Sequence, residues 1–284
     1  MNIIHINPFL TTGYASKEYF CDRQNELNIL QRSLKNENNL TLISARRLGK
    51  SALIYRLFES LEEENHVCIY VDVFATLNLK DFIECLALAI FKRFPEKKSL
   101  GKRFLDFLKS FRPVISYDAL NGQPEIHFEF SRPAEYEHTL RSIFRFLDNQ
   151  QVKVILAIDE FQQITAYPET NTEALLRTII QTLQNIRFVF SGSKKHLMLE
   201  MFNTAKRPFF ASTQMLNLSE IPTLEYKNFI RRKFEEHRRT IDDESIDFIL
   251  SWTLVHTYYT QVICNQVFAQ KEKHVGIAAV KRVC

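Results

Sequence analysis

Apolar residues fall along this chain in two patterns. Short apolar runs occur at Leu40–Ile43, Val67–Val73, Val152–Ile158 and Ile186–Phe190, with a last short strand expected at Gln214–Leu218. Runs of this length, rich in β-branched and aromatic residues, read as buried strands of a parallel sheet. Between them the apolar positions recur at helical spacing. Leu27, Leu30 and Leu34 mark a first helix that Asp22 could cap, and helices are predicted after Gly49 and over Leu79–Phe94, Leu100–Phe111, Ala134–Leu147 and Thr172–Leu183. Strand and helix in alternation predict an α/β fold, a parallel sheet flanked by helices.

Two departures from this rhythm divide the chain. Val114–Asp118 and Glu125–Phe130 flank an Asn121-Gly122 turn signal, and Ile126, Phe128 and Phe130 alternate with Glu125, His127 and Glu129. This predicts a β-hairpin insertion with one wet face, on which His127 is a solvated strand residue without chemistry. Beyond Pro222 the pattern is helical only, over Leu224–His237, Asp242–Trp252 and Val255–Lys271. The expected organisation is a domain over 1–219 and a helical lid over 220–284. Because Val275–Val280 opens a new apolar segment, the chain is expected to stop before a further C-terminal domain.

Two strands end in residues that carry chemistry. The run Leu40–Ile43 leads through a loop to Gly49-Lys50-Ser51 at the start of an amphipathic segment. A helix N-terminus bearing Lys and Ser offers backbone donors, a cation for outer phosphates and a hydroxyl for Mg²⁺, so ATP is the first ligand to test. Ser44 stands where the phosphate-loop pattern begins with Gly. The run Val152–Ile158 ends in Asp159-Glu160, which supplies the missing context: an Asp for the Mg²⁺ shell and a Glu to polarise the attacking water. Ile186–Phe190 ends in Ser191-Gly192-Ser193; Ser191 or Ser193 could reach a γ-phosphate or the attacking water, or Ser193 could simply cap a helix.

Composition narrows the alternatives. A formal charge of +4, with both signs interspersed, gives no footprint of a dedicated nucleic-acid binder. Five cysteines without a paired spacing indicate neither zinc nor a disulfide framework and fit a reducing compartment, the cytoplasm. No apolar run approaches the roughly 20 residues that span a bilayer.

Together these residues resemble the prokaryotic P-loop ATPases related to the AAA+ and STAND groups. The resemblance rests on Phe20-Cys21-Asp22-Arg23-Gln24-Asn25-Glu26-Leu27, on Ala45-Arg46-Arg47-Leu48-Gly49-Lys50-Ser51, on Asp159-Glu160, on Ser191-Gly192-Ser193 and on His256-Thr257-Tyr258-Tyr259-Thr260-Gln261, in the family's order. It implies adenine near Phe20 and Cys21, phosphates cradled from Ser44 and Ala45 through Ala52, and Mg²⁺ held by Ser51 and Asp159. It further implies a polar sensor at Ser191 or Ser193 and a second one at His256. Arg46 and Arg47 could contact phosphate or lie in solvent, and Arg207 is the candidate arginine finger. Ser44 and Cys21 replace family glycines, and Thr257 stands where the lid motif usually has Pro. The activity implied is Mg-dependent ATP hydrolysis acting as a switch on another protein or a C-terminal domain, with a homo-oligomer as a further expectation. The alternatives are a nucleotide-binding scaffold with little turnover and a DNA-associated AAA+ ATPase.

Overall fold

A computed structural model describes residues 7–94, 99–119, 122–270 and 272–284. Asn121 of the expected turn and Lys271 of the last expected helix lie outside the described residues. In chain order the elements are α1 (Gln24–Lys35), β1 (Leu40–Ser44), α2 (Lys50–Glu63), β2 (Val67–Asp72), α3 (Leu79–Arg93), α4 (Ser99–Leu108), β3 (Pro113–Tyr117) and β4 (Pro124–Phe128). They continue as α5 (Pro133–Asp148), β5 (Val154–Asp159), α6 (Thr172–Ile180), β6 (Ile186–Gly192), α7 (Lys195–Asn203) and β7 (Gln214–Leu218). The last elements are α8 (Thr223–Glu235), β8 (Thr240–Ile241), α9 (Asp243–Trp252), α10 (Thr257–Ala269), β9 (His274–Val275) and α11 (Ile277–Lys281).

The described residues form two compact units. One draws on Arg32–Ile43 and Ser60–Leu216, the other on residues 7–31, Ser44–Glu59 and Asn217–Cys284. The first holds the sheet, in the order β2-β5-β6-β1-β7. β1 pairs parallel with β6, β6 with β5, and β5 with β2. The register sets Leu42 opposite Ser191, Ile158 opposite Phe190 and Asp72 opposite Asp159, so these strands end level at their carboxyl edge. Ligands of open α/β sheets bind at that edge.

The apolar strands explain why the sheet is interior: β5 is buried at every position, and Phe188 and Phe190 on β6, stacked on each other, pack edge-on or tilted against Phe144, Phe161, Phe202 and Phe209. Each such side chain contributes about 1.5–3 kcal/mol by leaving water. α3 is started by Asn78, whose side chain accepts from the Asp81 amide. α7 carries Met198, Met201 and Phe202 into this core, although its short segment gives no clear helical signal in the sequence.

The hairpin forms as the alternation predicts. Ile126 and Phe128 are buried, and His127 faces solvent, with Nδ1 at 3.2 Å from Glu84.

The second unit is built on a helical core of Phe9, Tyr226, Phe229, Phe234, Ile246 and Val267. Asp242 caps α9 through the Ser245 amide. α10 begins at Thr257, two residues later than its apolar spacing suggests, because Leu254 and Val255 both adopt left-handed backbone (φ 51° and 56°) and close the end of α9. A β-branched residue rarely takes that conformation, so Val255 holds local strain. The short parallel pair β8–β9 ties the end of the chain to this unit.

Candidate functional site

The phosphate-loop residues belong to the helical unit. Ser44 lies in the strand conformation of β1, buried, and its hydroxyl donates to the Ala45 carbonyl at 2.9 Å. Ala45, Arg46 and Arg47 are exposed. Arg47 takes φ 64°, and its guanidinium sits 4.3 Å from the centre of the Tyr258 ring, a cation–π contact rather than a purely solvated charge.

Leu48 is buried, and its carbonyl accepts from Arg23 Nη2 at 3.2 Å and from Thr257 Oγ1 at 3.4 Å. Gly49 has φ 93°, which only glycine adopts without strain, and its carbonyl accepts from the Leu53 amide to start α2. Lys50, Ser51 and Ala52 therefore form the first helical turn. Such a turn presents amide donors that have no acceptor inside the helix, an arrangement suited to phosphate.

Arg23 is the residue that motif reading underrated. It stands immediately before α1, where its carbonyl accepts from the Leu27 amide, so Arg23 rather than Asp22 occupies the capping position. Its side chain is buried, paired with Glu26 at 2.9 Å, and reaches Leu48.

Phe20 lies edge-on to Tyr14 at 6.0 Å, and Tyr14 stacks on Tyr55 at 6.4 Å and donates to Glu59 at 2.6 Å. Burial, then the Glu59 carboxylate, push the Tyr14 hydroxyl upward, so it stays a donor. Cys21 belongs to the apolar core with Tyr226 and Cys264, and burial raises its thiol as well. His256 precedes α10; its Nδ1 is buried and without a hydrogen-bond partner among the described residues, and its ring lies 4.8 Å from Tyr259.

The carboxylates lie at the carboxyl edge of the sheet unit. Asp159, the last residue of β5, is buried. Its Oδ2 accepts from the Tyr70 hydroxyl at 2.5 Å; its Oδ1 accepts from Ser191 at 2.6 Å and from the Glu160 amide at 2.9 Å. Glu160 turns into left-handed backbone (φ 55°), a costly conformation for this residue type that ends the strand alternation and redirects its side chain. Its Oε2 accepts from Ser193 at 2.8 Å and Gln162 at 2.5 Å.

The two serines thus divide the work, with Ser191 on the aspartate and Ser193 on the glutamate. Gly192 between them leaves room for its neighbours, since a Cβ there would displace the Gln162 amide and lie 2.6 Å from Met198 Sδ. Tyr70 and Gln162 are contributors that no sequence motif revealed.

Arg207 is engaged within its own unit: Nη2 pairs with Glu173, and Nη1 lies 3.3 Å from Glu200. Burial raises the Glu173 carboxyl, and Arg207 opposes that shift.

Among the described residues no group of His, Cys, Asp and Glu side chains could hold a metal alone. Asp159 at the end of β5 offers an oxygen donor of the kind that Mg²⁺ takes one or two of, completing its shell with water and phosphate. No described helix is long and apolar enough to cross a membrane.

Comparison with solved structures gives the same fold at low identity. The Walker-type ATPase paby2304 of Pyrococcus abyssi is 19% identical with a TM-score of 0.68, over 97% of this chain and 75% of that one. The ORC2 protein of Aeropyrum pernix, solved in ADPNP–ADP complexes, is 13% identical with a TM-score of 0.66, over 98% and 70%. RuvB of Thermotoga maritima, the Holliday junction branch migration motor, is 12% identical with a TM-score of 0.54, over 94% and 70%. A search of curated proteins found no match. At the level of sequence, residues 20–258 match the ATPase domain predominantly from Archaea, and the chain belongs to that family of P-loop ATPases.

Proposed function

We propose that this ATPase domain hydrolyses MgATP as a nucleotide-controlled switch on a protein partner or a further domain. Lys50 neutralises the β- and γ-phosphate oxygens. Ser51 and Asp159 would hold Mg²⁺, which when bound supplies charge neutralisation on the transferred phosphoryl group. Glu160 takes the proton of the attacking water.

The observation that carries this reading is the separate bracing of the adjacent carboxylates, Asp159 by Tyr70 and Ser191, Glu160 by Ser193 and Gln162. A carboxylate braced by two hydroxyls is held in a fixed orientation, as a group beside a cation requires. Glu160, in contrast, is only half-buried.

The switch reading rests on Thr257 and Tyr258. Both open α10 in the segment read as a lid, 220–284, and both touch the phosphate loop within one unit. A change in loop conformation on hydrolysis would reach α10 directly. The free cysteines, three of them buried, are in keeping with a cytoplasmic protein.

The test is an ATP titration by calorimetry beside single-turnover hydrolysis. Lys50→Ala should lose tight MgATP binding while keeping its circular dichroism spectrum. Glu160→Gln should bind ATP within a few-fold of wild type and lose about a hundredfold or more in rate. Equal turnover in wild type and Glu160→Gln would remove Glu160 as the base, and unchanged ATP affinity in folded Lys50→Ala would remove the loop assignment.

A further inference from the structure

In the sheet unit, α4 and the β3–β4 hairpin enclose a cleft of about 670 Å³, away from the carboxylates of β5. Its size falls in the roughly 300–1,000 Å³ range of ligand sites. Two faces form it. Lys102, Asp106 and Lys109 are spaced at i, i+4 and i+7 along α4 and the short turn that continues it, so they share one helix face. Opposite, Ile115 and Tyr117 alternate on β3, with Arg112 just before the strand.

The hairpin face is the unusual part. Ile115 pairs with Ile126, so both point to the same side of the ladder. Ile126 is 2% exposed and sits in the core, whereas Ile115 is 38% and Tyr117 63% exposed. The apolar face that seals the core at β4 therefore overhangs open space at β3, directly across from cations.

The charge is equally uneven. Three cations meet one acid, Asp106, which Lys109 already binds at 2.7 Å, and neither Lys102 nor Arg112 forms an ion pair among the described residues. A chain of net charge +4 thus concentrates a positive local excess in one apolar-walled cleft.

Lys102 and Lys109 lie about 10 Å apart along the helix, from a rise of about 1.5 Å per residue. Cations spread over that interval suit a ligand with anions repeated along its length, and the exposed ring of Tyr117 suits a flat partner. We propose that this cleft binds a short single-stranded nucleic acid, with its phosphates on Lys102, Lys109 and Arg112 and a base stacked on Tyr117. Aromatic stacking with a cationic track is the general chemistry of single-strand binding. Binding here is separate from ATP hydrolysis.

Fluorescence anisotropy with a labelled eight-nucleotide oligo(dT), titrated across salt concentrations on the full chain, tests it. Wild type should bind with strong salt dependence. Tyr117→Ala should weaken binding about tenfold with the salt slope kept. Lys102→Gln and Arg112→Asn should each lower the slope by about 0.7, Asn being suited to the left-handed backbone at position 112 (φ 52°). All three variants should keep wild-type circular dichroism and MgATP affinity, and their failure would leave the ATPase assignment standing. Absence of binding at low salt, undiminished binding in a variant combining all three changes, or displacement of the strand by polyglutamate as effectively as by unlabelled oligo(dT) would each overturn the proposal; the last would point to an acidic peptide.

Discussion

Leu48 and Asp159 are both fixed by hydrogen bonds, but the bonds come from different places. The Leu48 carbonyl is held by Arg23, 25 positions before it, and by Thr257, 209 positions after it. Asp159 is held by hydroxyls from the two strands beside its own and by the next amide in the chain. The carboxylate is therefore set by the sheet, and it is in place once β2, β5 and β6 have paired. The loop is set by the helical segment and by the residue before α1, so its geometry depends on groups that the sheet does not provide. The switch proposed above would need one element that stays put and one that can be released, and the two residues divide along that line.

The sharpest way to break this contrast is Arg23→Ala. It removes the strongest donor to a buried carbonyl and leaves Glu26 without its partner. The carbonyl keeps only the Thr257 hydroxyl at 3.4 Å, and losing a hydrogen bond from a charged donor costs about 1.5–3 kcal/mol. MgATP affinity should fall by about tenfold or more, while the sheet unit keeps its protection from hydrogen exchange. Calorimetry and exchange mass spectrometry read the two separately. If protection in β5 and β6 collapses together with affinity, the loop and the carboxylate are not independently held.

The parts of this site that were legible in sequence are those whose chemistry is local. Gly49-Lys50-Ser51 announces a helix start with a cation and a hydroxyl, and Val154–Asp159 announces a buried strand that ends in acid. Asp159 and Glu160 could be assigned separate tasks because they are adjacent in a strand. Where the Glu160 side chain points could not be read, since it depends on the left-handed turn at that residue.

Tyr70, Gln162 and Arg23 were illegible for a related reason. Each bonds a residue distant in the chain or hidden by a turn, Arg23 beside its pair with Glu26, and no periodicity marks that bond. The start of α10 was misplaced because Leu254 and Val255 are apolar at helical spacing yet sit in a strained turn. The two-residue strands β8 and β9 are too short to leave a pattern.

A smaller effect separates the two serines. Ser191→Ala strips a donor from a buried carboxylate, so it should lower stability by about 1–2 kcal/mol and weaken MgATP binding. Ser193→Ala removes a donor from the half-buried glutamate, so binding and melting temperature should change less than in Ser191→Ala while the single-turnover rate changes by about three- to tenfold. Its direction is informative: a slower rate means Ser193 orients Glu160 for the water, and a faster one means it restrains Glu160. Identical behaviour of the two variants in binding and rate would show that Asp159 and Glu160 respond as one group, against the division of roles.

The smallest expected effect belongs to Ser44, the residue that departs from the phosphate-loop pattern. A glycine at that position is needed only where the backbone turns left-handed or where a side chain would strike the ligand. Neither holds for the backbone here, because Ser44 continues the extended conformation of β1 and its hydroxyl folds onto the neighbouring Ala45 carbonyl. Ser44→Gly should therefore bring no relief. It should lower stability by about 0.5–1 kcal/mol, through the greater freedom of glycine in the unfolded chain and the lost hydrogen bond, and leave MgATP affinity within about threefold of wild type. Thermal melting and calorimetry on the same preparation measure both quantities. Affinity that rises by tenfold in the glycine variant would mean that the serine side chain obstructs the phosphates. The loop would then be limited by its own sequence and not by Arg23 and Thr257, and the contrast with the sheet-held carboxylate would lose its basis.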